Sequence, residues 1–179
     1  MEVFLQALIA GLLMGGLYAL IGMGMTLIMG VMGIINLAHG QLMMAAMYIT
    51  YLLSYYLGVD PYLSLLVSMP SLFLIGAVLQ KYLLNPLLKA DSILPENQVL
   101  MTVGIGMVLT EIARFAFSSD YKSIQMSYSS AAFFIKGLSF NVNMTVAFGI
   151  SVLLTAGLFL FLMKTDLGRS IRAVAQDKE

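Results

Sequence analysis

No Asp, Glu, Lys or Arg occurs between Glu2 and Asp60, and long apolar runs recur beyond that point. A helix needs about 20 apolar residues to cross the hydrocarbon core of a bilayer. Five runs come near that length: residues 3–29, 37–57, 62–84, 99–117 and 142–163. The expected fold class is therefore all-α, a polytopic helical membrane protein with about five transmembrane helices in a single domain over residues 1–179. Tyr48, Tyr51, Tyr55 and Tyr56 crowd the end of the second run as an interfacial aromatic belt would. Gly58, Val59, Asp60 and Pro61 predict a short turn before the third. Pro70 predicts a kink inside the third run. Gly11 and Gly15 form a small-xxx-small pair that lets helix backbones approach.

Polar residues interrupt the pattern in three places. Between the first two runs stand Asn36, His39, Gly40 and Gln41, and a bilayer tolerates buried polar groups only where they face protein or water. Two readings stay open for these four residues: they line a substrate path, or they form a junction between helices. Either way the stretch predicts a non-helical break or tight junction packed against protein, with Gly30, Gly33 and Gly40 allowing bending and close approach. In the fourth run Glu111 and Arg114 lie three residues apart, on one helix face. They read as a structural ion pair, as an arginine snorkelling to the surface, or as a direct contact to substrate. The third place is the long Ser- and Tyr-rich connection, residues 118–140, in which residues 131–135 are a short apolar surface element or a strand.

After the fifth run the character changes abruptly. From Lys164 to the end the chain is polar and carries Lys164, Arg169, Arg172 and Lys178. Ile171, Val174 and Ala175 share one face of a short helix, with Arg169, Arg172 and Gln176 on the neighbouring face. Lys and Arg favour cytoplasmic connections. An external N-terminus puts Lys81, Lys89, Lys164, Arg169, Arg172, Lys178 and Glu179 inside, and leaves Lys122 and Lys136 outside, with Arg114 towards the outer end of its span.

Composition narrows the function. The chain is 60% hydrophobic and 10% charged, against roughly 25% charged in soluble domains. Its formal charge is zero, which suggests no nucleic-acid partner. With no cysteine and one histidine it offers no disulfide, thiolate site or histidine metal cluster. Met1, Glu2 and Val3 lack the positive start of a cleavable signal, so the first span is expected to be retained. No nucleophile–base–orienter set is visible, and no G-x-x-x-x-G-K-[ST] loop is present for a nucleotide phosphate. The chain is expected to be no enzyme and to bind no cofactor itself.

Three stretches carry a resemblance. Gly33-Ile34-Ile35-Asn36-Leu37-Ala38-His39-Gly40, then Leu42-Met43-Met44 and Tyr48, resembles the I-N-F-A-H-G-E signature of LivH-type permeases. Those are membrane subunits of bacterial ABC importers for branched-chain amino acids. Leu37 stands where the family has an aromatic and Gln41 where it has an acid. Asn85-Pro86-Leu87, followed by Leu100-Met101-Thr102-Val103-Gly104-Ile105-Gly106, is similar to the family's R-P-L…L-I-A-T-I-G-L-S, with Asn85 in place of arginine. The segment from Thr165 to Asp177 resembles its T-x-x-G-R-x-x-R-A-x-A-x-D. The resemblance implies a permease in the bacterial inner membrane, served by a second permease subunit, ABC ATPase subunits that hold ATP and Mg, and a periplasmic or surface substrate-binding protein, all in contact with membrane lipid. It implies a coupling role toward the ATPase for Thr165, Gly168, Arg169, Arg172 and Ala173. Members of the family continue for about three more spans, so the chain is expected to be an N-terminal portion, incomplete at its C-terminus. The rival readings are an intramembrane enzyme pairing His39 with Glu111, and a stand-alone secondary transporter coupling protons through Glu111.

Overall fold

The computed structural model describes residues 1–33, 35–88, 95–126, 128, 132–135 and 137–176. Lys89, Lys136, Lys178 and Glu179, on which part of the expected orientation rests, lie outside the described residues, as does Ala131. The chain divides into two compact units, residues 1–33 with 125–179, and residues 34–124.

In the first unit, α1 (Glu2–Met32) ends at Gly33, whose φ of 68° lets its N–H return to the Met29 carbonyl at 2.8 Å. Only glycine takes that left-handed conformation without strain. The polar connection is not a plain loop. It folds into a hairpin of β1 (Ala132–Ile135) and β2 (Leu138–Asn141), antiparallel, with Phe133 opposite Phe140 and Gly137 at φ 82° in the turn. The strand reading of this apolar stretch is thus the one realised, and the all-α expectation holds apart from this hairpin. Asn141 then caps α6 (Val142–Lys164), its Oδ1 accepting from the Met144 N–H at 3.2 Å. The basic tail is helical as expected, forming α7 (Asp166–Gln176).

Helices α1 and α6 pack together, and the glycine that permits it is not the expected one. A Cβ at Gly11 or Gly15 would meet nothing within 4 Å, whereas a Cβ at Gly16 would collide with the Phe148 ring. The side chain of Gln6 clamps the hairpin. Its Nε2 donates to the Ser139 carbonyl at 2.7 Å and its Oε1 accepts from the Ser139 N–H at 3.0 Å.

In the second unit, α2 (His39–Leu57) is followed by a turn held by its own polar side chains. Asp60 Oδ1 accepts from the Tyr62 N–H at 2.8 Å, and the fully buried Ser64 donates to the Pro61 carbonyl at 2.6 Å and lies 3.1 Å from Thr50 Oγ1. Burial, and secondarily the Asp60 carboxylate, raise the Tyr62 phenol above its ordinary pKa. These bonds delay the third helix, expected from residue 62, until α3 (Leu65–Leu79). Helix α3 runs unbroken through Pro70 and opens into a π-helical turn, Gln80–Leu84, before the short α4 (Asn85–Leu88). Gln80 Nε2 donates to Asn85 Oδ1 at 2.9 Å, so the residue standing where the related signature has arginine is tied within the chain. The turn brings Leu84 into a small core with Ala38 and Ile105, the last on α5 (Pro95–Phe117).

Segments within α1, α5 and α6, and α3 with its π-helical extension, are long and apolar enough to cross a membrane. Of the five expected spans, α2 is the one outside that set. At 19 residues it reaches about 28 Å, near the roughly 30 Å hydrocarbon thickness. His39, Gln41, Thr50, Ser54 and four tyrosines make it more polar. Dozens of large apolar side chains are exposed in both units, among them Phe115 at 96% and Phe73 at 75%. That is the outward face of a membrane helix, since lipid rather than protein covers it.

Candidate functional site

The expected break lies between the first two runs, but three residues earlier than the polar cluster suggested. Residues 33 and 35–38 are non-helical, and His39, Gly40 and Gln41 already form the first turn of α2. Asn36 shapes the turn into the helix: its Oδ1 accepts from the Ala38 N–H at 3.0 Å, and its carbonyl accepts from the His39 N–H at 3.3 Å. Ala38 is buried, and a Cβ on Gly40 would meet nothing within 4 Å. Close approach at Gly40 is therefore not what the second unit uses; the glycine under pressure is Gly106 of α5.

Thr102 pins the break. Its side chain is almost wholly buried, and its Oγ1 lies 3.2 Å from Leu37 N, 3.2 Å from the Ile35 carbonyl and 2.9 Å from the Val99 carbonyl. The hydroxyl accepts from the Leu37 N–H and shares its single proton between two carbonyls. One turn further along α5 is Gly106. A Cβ there would lie 3.2 Å from both Cδ and Oε1 of Gln41. Thr102 and Gly106 thus form one strip of α5 against which residues 35–41 are laid.

Beside this strip is a cavity of about 280 Å³. Leu37, Val103 and Met107 give it apolar walls, and Gln41, Thr110 and Glu111 its polar ones. The Thr110 hydroxyl is engaged with the Gly106 carbonyl at 2.9 Å. Glu111 Oε1 pairs with Arg114 Nη1 at 3.1 Å, both side chains more than half exposed. Gln41 Oε1 is buried and has no hydrogen-bond partner among the described residues, a state that costs about 1–3 kcal/mol if nothing compensates it. Asn36, His39 and Gly40 do not line this cavity. Of the four candidates Asn36, His39, Gly40 and Gln41, Gln41 alone does.

The tail is positioned with equal care. Thr165 caps α7, its Oγ1 accepting from the Gly168 N–H at 3.0 Å while donating to the Phe161 carbonyl at 2.7 Å. Gly168 sits so close to the end of α6 that a Cβ would lie 2.5 Å from the carbonyl oxygens of Phe161 and Leu162. Arg169 pairs with Asp166, and Arg172 reaches Met163 Sδ at 3.5 Å. Leu167 and Val174 remain exposed, and Ile171 is half-buried.

Thr102 and Gly106 enter the sequence reading only as part of the second resemblance stretch, with no role assigned, and Gln6 does not enter it. A hydroxyl inside an apolar run, such as Thr102, was the available signal, since it must find a backbone partner. His39 and Glu111 are not joined by any hydrogen bond or ion pair among the described residues, and no group of three or more His, Cys, Asp or Glu is placed to hold a metal there.

Such a chain, with long lipid-facing helices and a pinned break beside a small apolar cavity, is a polytopic helical membrane protein. Residues 7–179 match the family described as branched-chain amino acid transport system / permease component, and the chain belongs to that family. Among its relatives is the high-affinity branched-chain amino acid transport system permease protein BraD of Pseudomonas aeruginosa, 28% identical over 97% of this chain and 60% of the relative. The probable branched-chain amino acid transport permease protein LivH of Methanocaldococcus jannaschii is 30% identical over 88% of this chain and 50% of the relative. Escherichia coli LivH is 40% identical over 50 residues. The chain thus spans 50 to 60% of the length of the first two. No solved structure matches.

Proposed function

We propose that this chain supplies spans of the permease subunit of an ABC importer that carries branched-chain amino acids across the bacterial cytoplasmic membrane. The observation that carries the reading is the family match over residues 7–179. The site supports it: a small cavity with mostly apolar walls and few polar groups suits an aliphatic amino acid better than a charged or bulky solute. Energy comes from partner ATPase subunits that hold ATP and Mg, substrate from an external binding protein, and the pathway is completed with a second permease subunit. The N-terminus lies outside and α7 in the cytoplasm, because Lys81, Lys164, Arg169 and Arg172 then all fall on the positive side.

In this reading α7 docks in a cleft of the ATPase. The Thr165 cap and the Gly168 contact hold α7 to α6, so that displacement of α7 moves the span. Its exposed arginines would meet carboxylates or carbonyls of the partner. The test is leucine uptake by cells that lack their own importer and express the full-length permease with its partner subunits. Uptake is expected, and changing Arg169 and Arg172 to Glu should abolish both uptake and substrate-stimulated ATP hydrolysis while the permease still reaches the membrane. A wild-type complex that imports no branched-chain amino acid refutes the importer reading. A double variant that transports normally refutes the docking role and leaves α7 lying on lipid through Leu167 and Val174. A cysteine at position 120 should react with an impermeant reagent added outside, and one at position 169 should not; the reverse overturns the orientation.

A further inference from the structure

We propose that the contact between Gln41 and Gly106 is a size gate, which sets how large an aliphatic side chain the cavity of the second unit admits. The inference rests on the importer reading above and names the residues that would give it selectivity. The cavity, at about 280 Å³, lies at the small end of ligand pockets, which run from about 300 to 1,000 Å³. At that size a single methyl group matters.

Gly106 is buried, and the Gln41 amide lies directly against the face where a Cβ would stand, 3.2 Å from Cδ and Oε1 and 3.6 Å from Nε2. Contacts of 3.2 Å are tight, so one neighbour must yield to any added carbon. The α5 backbone is held there by its helix, and the break preceding α2 is pinned through Thr102. The Gln41 side chain is the part free to yield, because among the described residues its Oε1 has no hydrogen-bond partner to hold it. It lines the cavity, and displacement into that space narrows it. Glycine at 106 therefore keeps the amide retracted and the apolar walls of Leu37, Val103 and Met107 available to a branched side chain. Glu111, also on the wall, offers an anionic acceptor to the ammonium group of the same ligand.

The experiment uses the full-length permease with its ATPase and binding-protein partners, and compares leucine with valine uptake in wild type, Gly106→Ala, and Gly106→Ala combined with Gln41→Asn. One methylene in an apolar pocket discriminates by about tenfold or more, so Gly106→Ala should lower the leucine-to-valine uptake ratio about tenfold. The shorter asparagine should restore it. A second measurement does not depend on transport: the chain has no cysteine, so Met107→Cys can be titrated with small and bulky methanethiosulfonates. Gly106→Ala should slow the bulky reagent more than the small one, and Gln41→Asn should reverse that. Equal loss of both amino acids, no change in either ratio, or failure of asparagine to rescue overturns the gate. If wild type imports neither amino acid, the importer reading fails on its own, and the thiol rates still decide whether the gate exists.

Discussion

Replacing Gly168 by alanine should unseat α7 from the end of α6 without unfolding either helix. The added Cβ would stand 2.5 Å from the carbonyl oxygens of Phe161 and Leu162 and 2.6 Å from Leu162 Cα. Ordinary carbon–oxygen contacts are about 3.3–3.6 Å, so the backbones must part by about 1 Å, and no flexible side chain stands there to absorb it. Overpacking of this kind costs about 1–3 kcal/mol. Withdrawal also stretches the bond from Gly168 N–H to Thr165 Oγ1, now 3.0 Å, a cap worth about 1 kcal/mol. Alanine returns about 1 kcal/mol of helix propensity over glycine. The net is roughly 1–3 kcal/mol against the seated arrangement, a shift of about 5- to 150-fold. Amide hydrogen exchange over residues 166–176 reads that shift directly. Gly157→Ala in α6 is the control, since a Cβ there meets nothing within 4 Å. Exchange in α7 no faster for Gly168→Ala than for Gly157→Ala would refute the reasoning.

Thr102→Val keeps the shape of the side chain and removes the oxygen that accepts from the Leu37 N–H; thermal unfolding in detergent should show a loss of about 1–3 kcal/mol, with Thr102→Ser recovering most of it. If valine proves as stable as serine, the hydroxyl does not pin the break. Gln6→Ala removes the two hydrogen bonds to the Ser139 backbone and a longer one to its hydroxyl, and the Ser139 amide should exchange with solvent at least tenfold faster, at about 1 kcal/mol per bond. Gln6→Glu, which keeps the acceptor for that amide, should retain most of the protection.

The helices were legible because runs of lipid-soluble residues have few other solutions, and their ends were less so because ends depend on local polar bonds. The third run looks apolar from residue 62. The turn nonetheless persists to Ser64, because Asp60, Pro61 and Thr50 supply partners for the Tyr62 N–H and the Ser64 hydroxyl. The hairpin hides in a Ser- and Tyr-rich connection since its anchor, Gln6, lies 133 residues away. Glycines were misread for the same reason. Spacing along one helix selects Gly11 and Gly15, but whether a glycine is needed depends on what faces it, and only Gly16 has Phe148 opposite.

Polar side chains inside apolar runs are the clearest signal such a sequence contains, and the structure gives several of them a backbone to bond. Thr102 takes the break, Ser151 the Phe148 carbonyl, Gln6 the hairpin and Asn141 the start of α6. Those residues answer the structural half of the question posed by a polar group in lipid. Gln41 does not, because its buried oxygen bonds nothing among the described residues and its side chain lines a cavity. Among the described residues that oxygen is the buried side-chain oxygen or nitrogen left without a hydrogen bond, and the size gate proposed above gives that state a use. Glutamine in place of the related signature's acid is consistent with this. A neutral amide can lie unpaired against Gly106 at a cost of a few kcal/mol, whereas an unpaired carboxylate in the same spot would cost far more. The proposed gate treats the substitution and the contact with Gly106 as one arrangement, and the selectivity of the cavity is where that is measured.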